Sequence, residues 1–244
     1  MNSINPASLK RRSFIYRELA RFGAQFGEIN GGAVPLSFGG TREAELASAR
    51  RLALADLSVM PHGGFKGKGT AEWLTAQGLT IGPDSNKAYA QAGGELAARL
   101  APTEIFLMDS LAGSGALMQR LNAAWTWAET APRPQQGYPL PRQDSHGWFM
   151  ATGEFAPEMF SKMCGVDLRR DRFAEGAIAQ TSVAKMSAII IRADRKAKDG
   201  RVHVAYHVLA DIASAEYLWS CLMDAGKEFD IKPVGLQALQ DLEQ

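Results

Sequence analysis

Six short stretches of this chain hold side chains whose type and spacing could do chemistry. Gly63-Gly-Phe-Lys-Gly-Lys-Gly could cradle a phosphate between backbone amides and two lysines. A phosphate loop places its lysine directly before a Ser or Thr that opens a helix, whereas Lys68 is followed by glycine. The spacing Gly64-x-x-Gly67-x-Gly69 also reverses the dinucleotide fingerprint, so the stretch reads as a tight turn with close backbone packing. Gly113-Ser-Gly ahead of Ala116 reads as a helix cap. His203 and His207 have the i, i+4 spacing of a helical zinc pair, but the alternation around them is that of a strand. Four residues of strand separate their backbones by roughly 13 Å, too far for two ligands of one metal, so no metal site is expected.

Asp144-Ser-His-Gly-Trp holds the residue types of a hydrolase triad within three positions. Adjacent residues cannot adopt nucleophile–base–orienter geometry, and no GxSxG elbow accompanies them; a turn entering a strand is expected. Cys164 closes an apolar helix and reads as a buried structural thiol. Gln180-Thr-Ser is read as a loop, where Gln180 and Thr181 could offer hydrogen bonds to a ligand or equally satisfy their own backbone. No complete catalytic set emerges.

The 244 residues carry 27 Lys+Arg against 26 Asp+Glu, a net charge of +1. That balance argues against a general polyanion binder, so no nucleic-acid partner is expected. No run approaches the apolar length of a membrane span, and no apolar stretch follows the basic N-terminal cluster as in a secretory signal. The two cysteines form no CxxC, which favours a reducing cytoplasm.

The elements that would position these residues fall into a pattern seen twice. Residues 1–40 read as an N-terminal arm with a helix-like basic stretch from Leu9 to Phe26. Thr41 caps a helix with acids in its first turn, and a strand follows over Leu52–Met60. In the first copy, residues 41–130, an extended segment ending at Gly69 leads to a helix from Ala71, strands near Glu95–Leu100 and Glu104–Met108, and a helix over Ala116–Ala128. Residues 131–145 form a connector whose four prolines forbid helix. In the second copy, residues 146–244, strand Gly147–Thr152 precedes a helix at Ala156–Met163. Strands Ala184–Arg192 and Arg201–Leu209 and a helix at Ala213–Ala225 complete it. Each copy reads strand–helix–strand–strand–helix, which predicts an α+β fold of two ferredoxin-like halves.

Several of these stretches also resemble a known family. Phe65-Lys-Gly-Lys-Gly-Thr-Ala-Glu-Trp-Leu-Thr-Ala-Gln-Gly-Leu, Asn86 and Leu100-Ala-Pro-Thr-Glu-Ile-Phe-Leu resemble the first half of the gamma subunit of heterotetrameric sarcosine oxidase. Cys164-Gly-Val-Asp-Leu, Phe173-Ala-Glu-Gly-Ala-Ile-Ala-Gln-Thr-Ser-Val-Ala-Lys and Ser214-Ala-Glu-Tyr-Leu-Trp resemble its second half. Phe229-Asp-Ile-Lys-Pro-Val-Gly-Leu is similar to the folate-binding domain of the glycine-cleavage T-protein, a wider relative.

The resemblance implies the T-protein folate-binding type of duplicated fold. It implies a small subunit, without catalytic residues of its own, in a flavoenzyme that oxidatively demethylates N-methylglutamate or sarcosine. The N-terminal arm and the connector make the chain longer than the sarcosine-type subunit, which tilts the reading toward the N-methylglutamate dehydrogenase small subunit. The implied partners are alpha- and beta-type flavoprotein chains and a small zinc-binding chain, which would carry the flavin, NAD and tetrahydrofolate; this chain would bind no cofactor alone. The alternative is a folate-binding aminomethyltransferase-like subunit of another demethylating system such as dimethylamine monooxygenase. Asn86, Gln180 and Thr181 are then the cofactor-binding candidates. Folate-binding T-proteins carry a Tyr-Thr-Gly-Glu turn where this chain reads Arg195-Lys-Ala-Lys-Asp-Gly, and the expected catalytic aspartate has no match near Asn86, Asp84 lying two residues off.

Overall fold

The computed structural model describes residues 3–127 and 136–244. Residues 131–135 of the expected connector, and the expected end of the preceding helix at Ala128, lie outside them. The chain divides into two compact units: residues up to Val59 together with His146–Gln244, and Met60–Ser145.

The first unit is built on a six-stranded sheet in the order Ile178–Val183, Met186–Arg192, Ala205–Asp211, His146–Thr152, Ala53–Asp56, Lys232–Pro233. Neighbours are antiparallel except for the last pair. Alternate side chains (Ile190, Tyr206, Val208, Phe149, Ala151, Leu54) point to one face and bury against the helices Ala156–Ser161 and Ala215–Ala225. Trp219 lies at the centre of this core, edge-on to Phe149 at 5.5 Å between centroids.

The expected halves do not coincide with the sheets. Ala53–Asp56, placed by sequence in the first half, pairs with His146–Thr152 of the second. Nor is the N-terminal segment a projecting arm: Ile15, Leu19, Phe26 and Ala33 join the core of this unit. Its helix covers only Tyr16–Arg21, while Arg11–Arg12, Gly32–Ser37 and Gln25–Ile29 form a small sheet. The helix capped by Thr41 does form over Arg42–Arg51, with Thr41 Oγ1 accepting from the Ala44 amide at 3.2 Å.

The second unit carries a five-stranded sheet in the order Lys87–Ala90, Leu96–Ala101, Glu104–Met108, His62–Lys66, Tyr138–Leu140. Helices Thr70–Ala76 and Ala116–Ala124 cover it through Phe65, Leu74, Ile105, Leu107, Leu117 and Leu121. The duplication is real: a first strand and helix, a three-strand meander whose last strand pairs with the first, then a second helix. Each copy therefore has one strand more than expected, Lys87–Ala90 in one and Ile178–Val183 in the other.

The extra strand of the second copy corrects the reading of Gln180-Thr-Ser as a loop. It pairs residue by residue with Met186–Arg192 and turns back at Ala184-Lys185. Both turn residues are left-handed, at φ 49° and 66°, where a two-residue hairpin normally uses Asn-Gly. A side chain in that region costs about 1–2 kcal/mol, so Ala184→Asn with Lys185→Gly is expected to stabilise the protein by about 1–2 kcal/mol. A raised urea midpoint with unchanged slope would show this; an unchanged midpoint would mean the turn carries no such strain.

Candidate functional site

The polar residues singled out near position 180 converge on the sheet face opposite the core of the first unit. Gln180 and Ser182 lie on this face of the edge strand; Thr181 alternates toward the face of Ala179 and Val183, yet it too borders the groove. Register sets Gln180 opposite Ile189 and Ile189 opposite Leu209, with Trp148 next in the row. One step along, Ser182 faces Ser187, and Asp211 faces His146. The outcome is a groove of about 510 Å³ with an apolar floor of Ile189 and Leu209 and a rim of amide, hydroxyl, carboxylate and imidazole groups. An apolar floor with a few polar groups around it is the usual make-up of a small-molecule site. The rim can orient a ligand by hydrogen bonds. Asp211 Oδ1 accepts from the Ala213 amide at 2.8 Å, capping the turn into the next helix.

Further along the same face lies a pair that sequence reasoning missed. Trp148 Nε1 donates to His207 Nδ1 at 2.8 Å, and both side chains are buried. The accepting Nδ1 fixes the proton on Nε2, which has no hydrogen-bond partner among the described residues. Burial, with a smaller push from the Arg195 charge, lowers the imidazole to about 3. His203 sits on a separate short strand, Val202–His203, so the two histidines do not form a metal pair. Among the described residues no group of three or more His, Cys, Asp or Glu could hold a metal ion.

The remaining motifs take local structural roles. Gly67, at φ 140°, stands so close to Gly137 that a Cβ there would lie 2.7 Å from the Gly137 Cα. The turn ahead of Ala116 is tied by Asp109, whose carboxylate accepts from the Ser110 and Gly115 amides at 2.9 and 2.7 Å. The chain's own carboxylate thus takes the position a bound anion would use. Ser145 belongs to a turn back to the Arg142 carbonyl, and Cys164 is buried with its Sγ 3.5 Å from the Val166 amide. Asn86 is exposed in the second unit, at φ 55° in the turn before Lys87–Ala90, a conformation asparagine tolerates. It does not line the groove.

The arrangement of sheets and helices matches that of the glycine-cleavage aminomethyltransferase T from Bartonella henselae. The likeness has a TM-score of 0.69 at 18% identity and covers 95% of this chain and 61% of that one. The fold is that of aminomethyltransferase T. In sequence, the chain is 24% identical over 255 residues to an aminomethyltransferase of Acidobacterium capsulatum, covering 99% of this chain and 64% of the relative. The chain thus spans less than two thirds of the length of these aminomethyltransferases. It is also similar to a chain of heterotetrameric sarcosine oxidase from Corynebacterium sp. U-96, at a TM-score of 0.58 and 20% identity, covering 77% of this chain and 92% of that one. No protein-family model matches the chain.

Within this aminomethyltransferase T fold, the stretch from Arg195 to Gly200 makes a short hairpin in which Arg195–Lys196 pairs with Val202–His203. Asp199 in its turn is already engaged, accepting from the Arg201 amide at 3.0 Å and from Arg201 Nε at 2.6 Å. These bonds hold its carboxyl below the ordinary range. Arg195 is paired with Glu243, and its burial, against a smaller opposing pull from Glu175, lowers the guanidinium to about 10. Asp199 is thus spent on its own turn.

Proposed function

We propose that the chain is a small, non-catalytic subunit of a cytoplasmic heteromeric flavoenzyme that oxidatively demethylates an N-methyl amino acid, N-methylglutamate or sarcosine. The supporting observation is the likeness to a chain of heterotetrameric sarcosine oxidase, at a TM-score of 0.58 over 77% of this chain. Asp199, spent on its own turn, agrees with a chain that leaves folate chemistry to others. In this reading flavoprotein partners and a small zinc-binding chain carry flavin, NAD and tetrahydrofolate. This chain helps enclose the route of the one-carbon intermediate, since excluding water protects a reactive electrophile.

The test is purification of the tagged chain from its own cells. A complex that contains flavin, bleached by N-methylglutamate or sarcosine, is expected; a chain that elutes alone and without flavin overturns the proposal. The second reading, a folate-binding aminomethyltransferase-like subunit, draws on the 510 Å³ groove beside Gln180. Calorimetric titration of the isolated chain with tetrahydrofolate separates the two. Silence supports the first reading, and micromolar or tighter binding, lost in Gln180→Ala, establishes the second.

A further inference from the structure

We infer that the outer surface of the N-terminal segment is a docking site for an acidic stretch of a partner protein. From Ser3 to Phe26 the chain carries five basic residues and a single acid, although the whole protein is close to neutral at +1. Arg11 is spent on the carbonyls of Asn30 and Val59, and Arg21 pairs with Glu18. Lys10, Arg12 and Arg17 remain exposed, with no carboxylate partner among the described residues. The guanidiniums of Arg12 and Arg17 lie over the Tyr16 ring, 5.0 and 5.3 Å from its centroid. Arg12 also donates to the Leu9 carbonyl at 2.9 Å. Phe14 and Phe22 stand 41% and 40% exposed on the same segment.

Arginines held against an aromatic ring are partly ordered before any partner arrives, which lowers the entropy lost on pairing with carboxylates. Exposed aromatics among arginines are the composition of protein–protein anchors. A membrane surface fits less well: the helix Tyr16–Arg21 is short and turns Leu19 into the core, leaving no apolar face to insert. Three unpaired cations also give little counterion release on a nucleic acid. The site extends the subunit reading by specifying the chemistry of one contact, and its first test needs no partner chain.

Poly-L-glutamate is the probe, titrated onto the full chain at low salt and compared with phosphatidylglycerol vesicles and oligothymidylate. Polyglutamate is expected to bind most tightly. Combining Lys10→Glu, Arg12→Glu and Arg17→Glu should weaken it by about tenfold and remove most of its salt dependence. Phe14→Ala with Phe22→Ala should weaken it less and keep the salt dependence. Unchanged binding by the charge-reversed chain overturns the inference, as does tighter binding of vesicles or oligothymidylate. Should that variant fail to fold, Lys10→Gln with Arg17→Gln is judged by the same criteria. In a flavoprotein complex, the charge-reversed chain should dissociate at lower salt. A complex indifferent to the change overturns the inference and leaves the subunit reading standing; failure to find any flavin complex refutes that reading while the polyglutamate titration still decides this one.

Discussion

Arg192→Met is expected to destabilise the protein by about 3–5 kcal/mol, the cost of stranding one member of a buried ion pair. Arg192 and Asp194 form a two-pronged contact at 3.0 and 2.7 Å, with side chains only 6% and 4% exposed. The remaining guanidinium nitrogen donates to the carbonyls of Arg170 and Phe173 at 2.9 and 2.6 Å, tying the loop after Cys164 to the sheet. Removing the arginine leaves a buried carboxylate and two carbonyls without their donor. The double replacement Arg192→Met with Asp194→Asn removes the stranded charge and should recover part of the loss. Urea denaturation of the three proteins checks both statements. A loss below about 1 kcal/mol in the single variant would show that water or a neighbouring cation replaces the arginine.

The second large effect is on acid stability. His207 holds its neutral form down to about 3 because it is buried, whereas in the unfolded chain it takes a proton near the ordinary 6.5. The unfolded state therefore binds the proton first, and stability falls as pH drops from about 6.5 toward 3. The full gap corresponds to as much as about 5 kcal/mol. Burial pushes the Asp56 carboxyl up, so that group gains its proton more readily when folded and opposes the loss. His207→Gln supplies an amide oxygen for the Trp148 donor and no titrating group. Its unfolding free energy should be flatter than that of the parent between pH 6.5 and 4. Equal slopes in the two proteins would remove His207 as the cause.

The duplicated pattern was legible because each copy advertises its central strands. Ile189-Ile-Ile and the pair Tyr206 and Val208 belong to strands flanked on both sides, where β-branched and aromatic residues pack; Val202, in the same alternation, falls on the separate short strand Val202–His203. Ile178–Val183 lies at the sheet edge and exposes Gln180 and Ser182, so its middle reads as a polar loop. Lys87–Ala90, also an edge strand, has no β-branched residue to mark it. The apolar spacing from Leu9 to Phe26 suggested a helix, yet Arg11–Arg12 is drawn into pairing with Gly32–Ser37. The groove was half visible: Gln180 was found, but its neighbours Ser187, Leu209 and Asp211 come from strands whose register no local pattern encodes. The Trp148–His207 bond links residues 59 positions apart. The i, i+4 spacing of His203 and His207 pointed instead at a partner that the strand geometry denies.

The strand Ala53–Asp56 has a consequence for synthesis. Its parallel neighbour Lys232–Pro233 and its antiparallel neighbour His146–Thr152 both lie far downstream in the chain. At about 5–20 residues per second, it leaves the ribosome several seconds or more before either neighbour exists. Until then an apolar ribbon, Leu52-Ala-Leu-Ala, waits unpaired while the intervening residues are made. Shielding by a chaperone would decide how much of the nascent protein escapes aggregation.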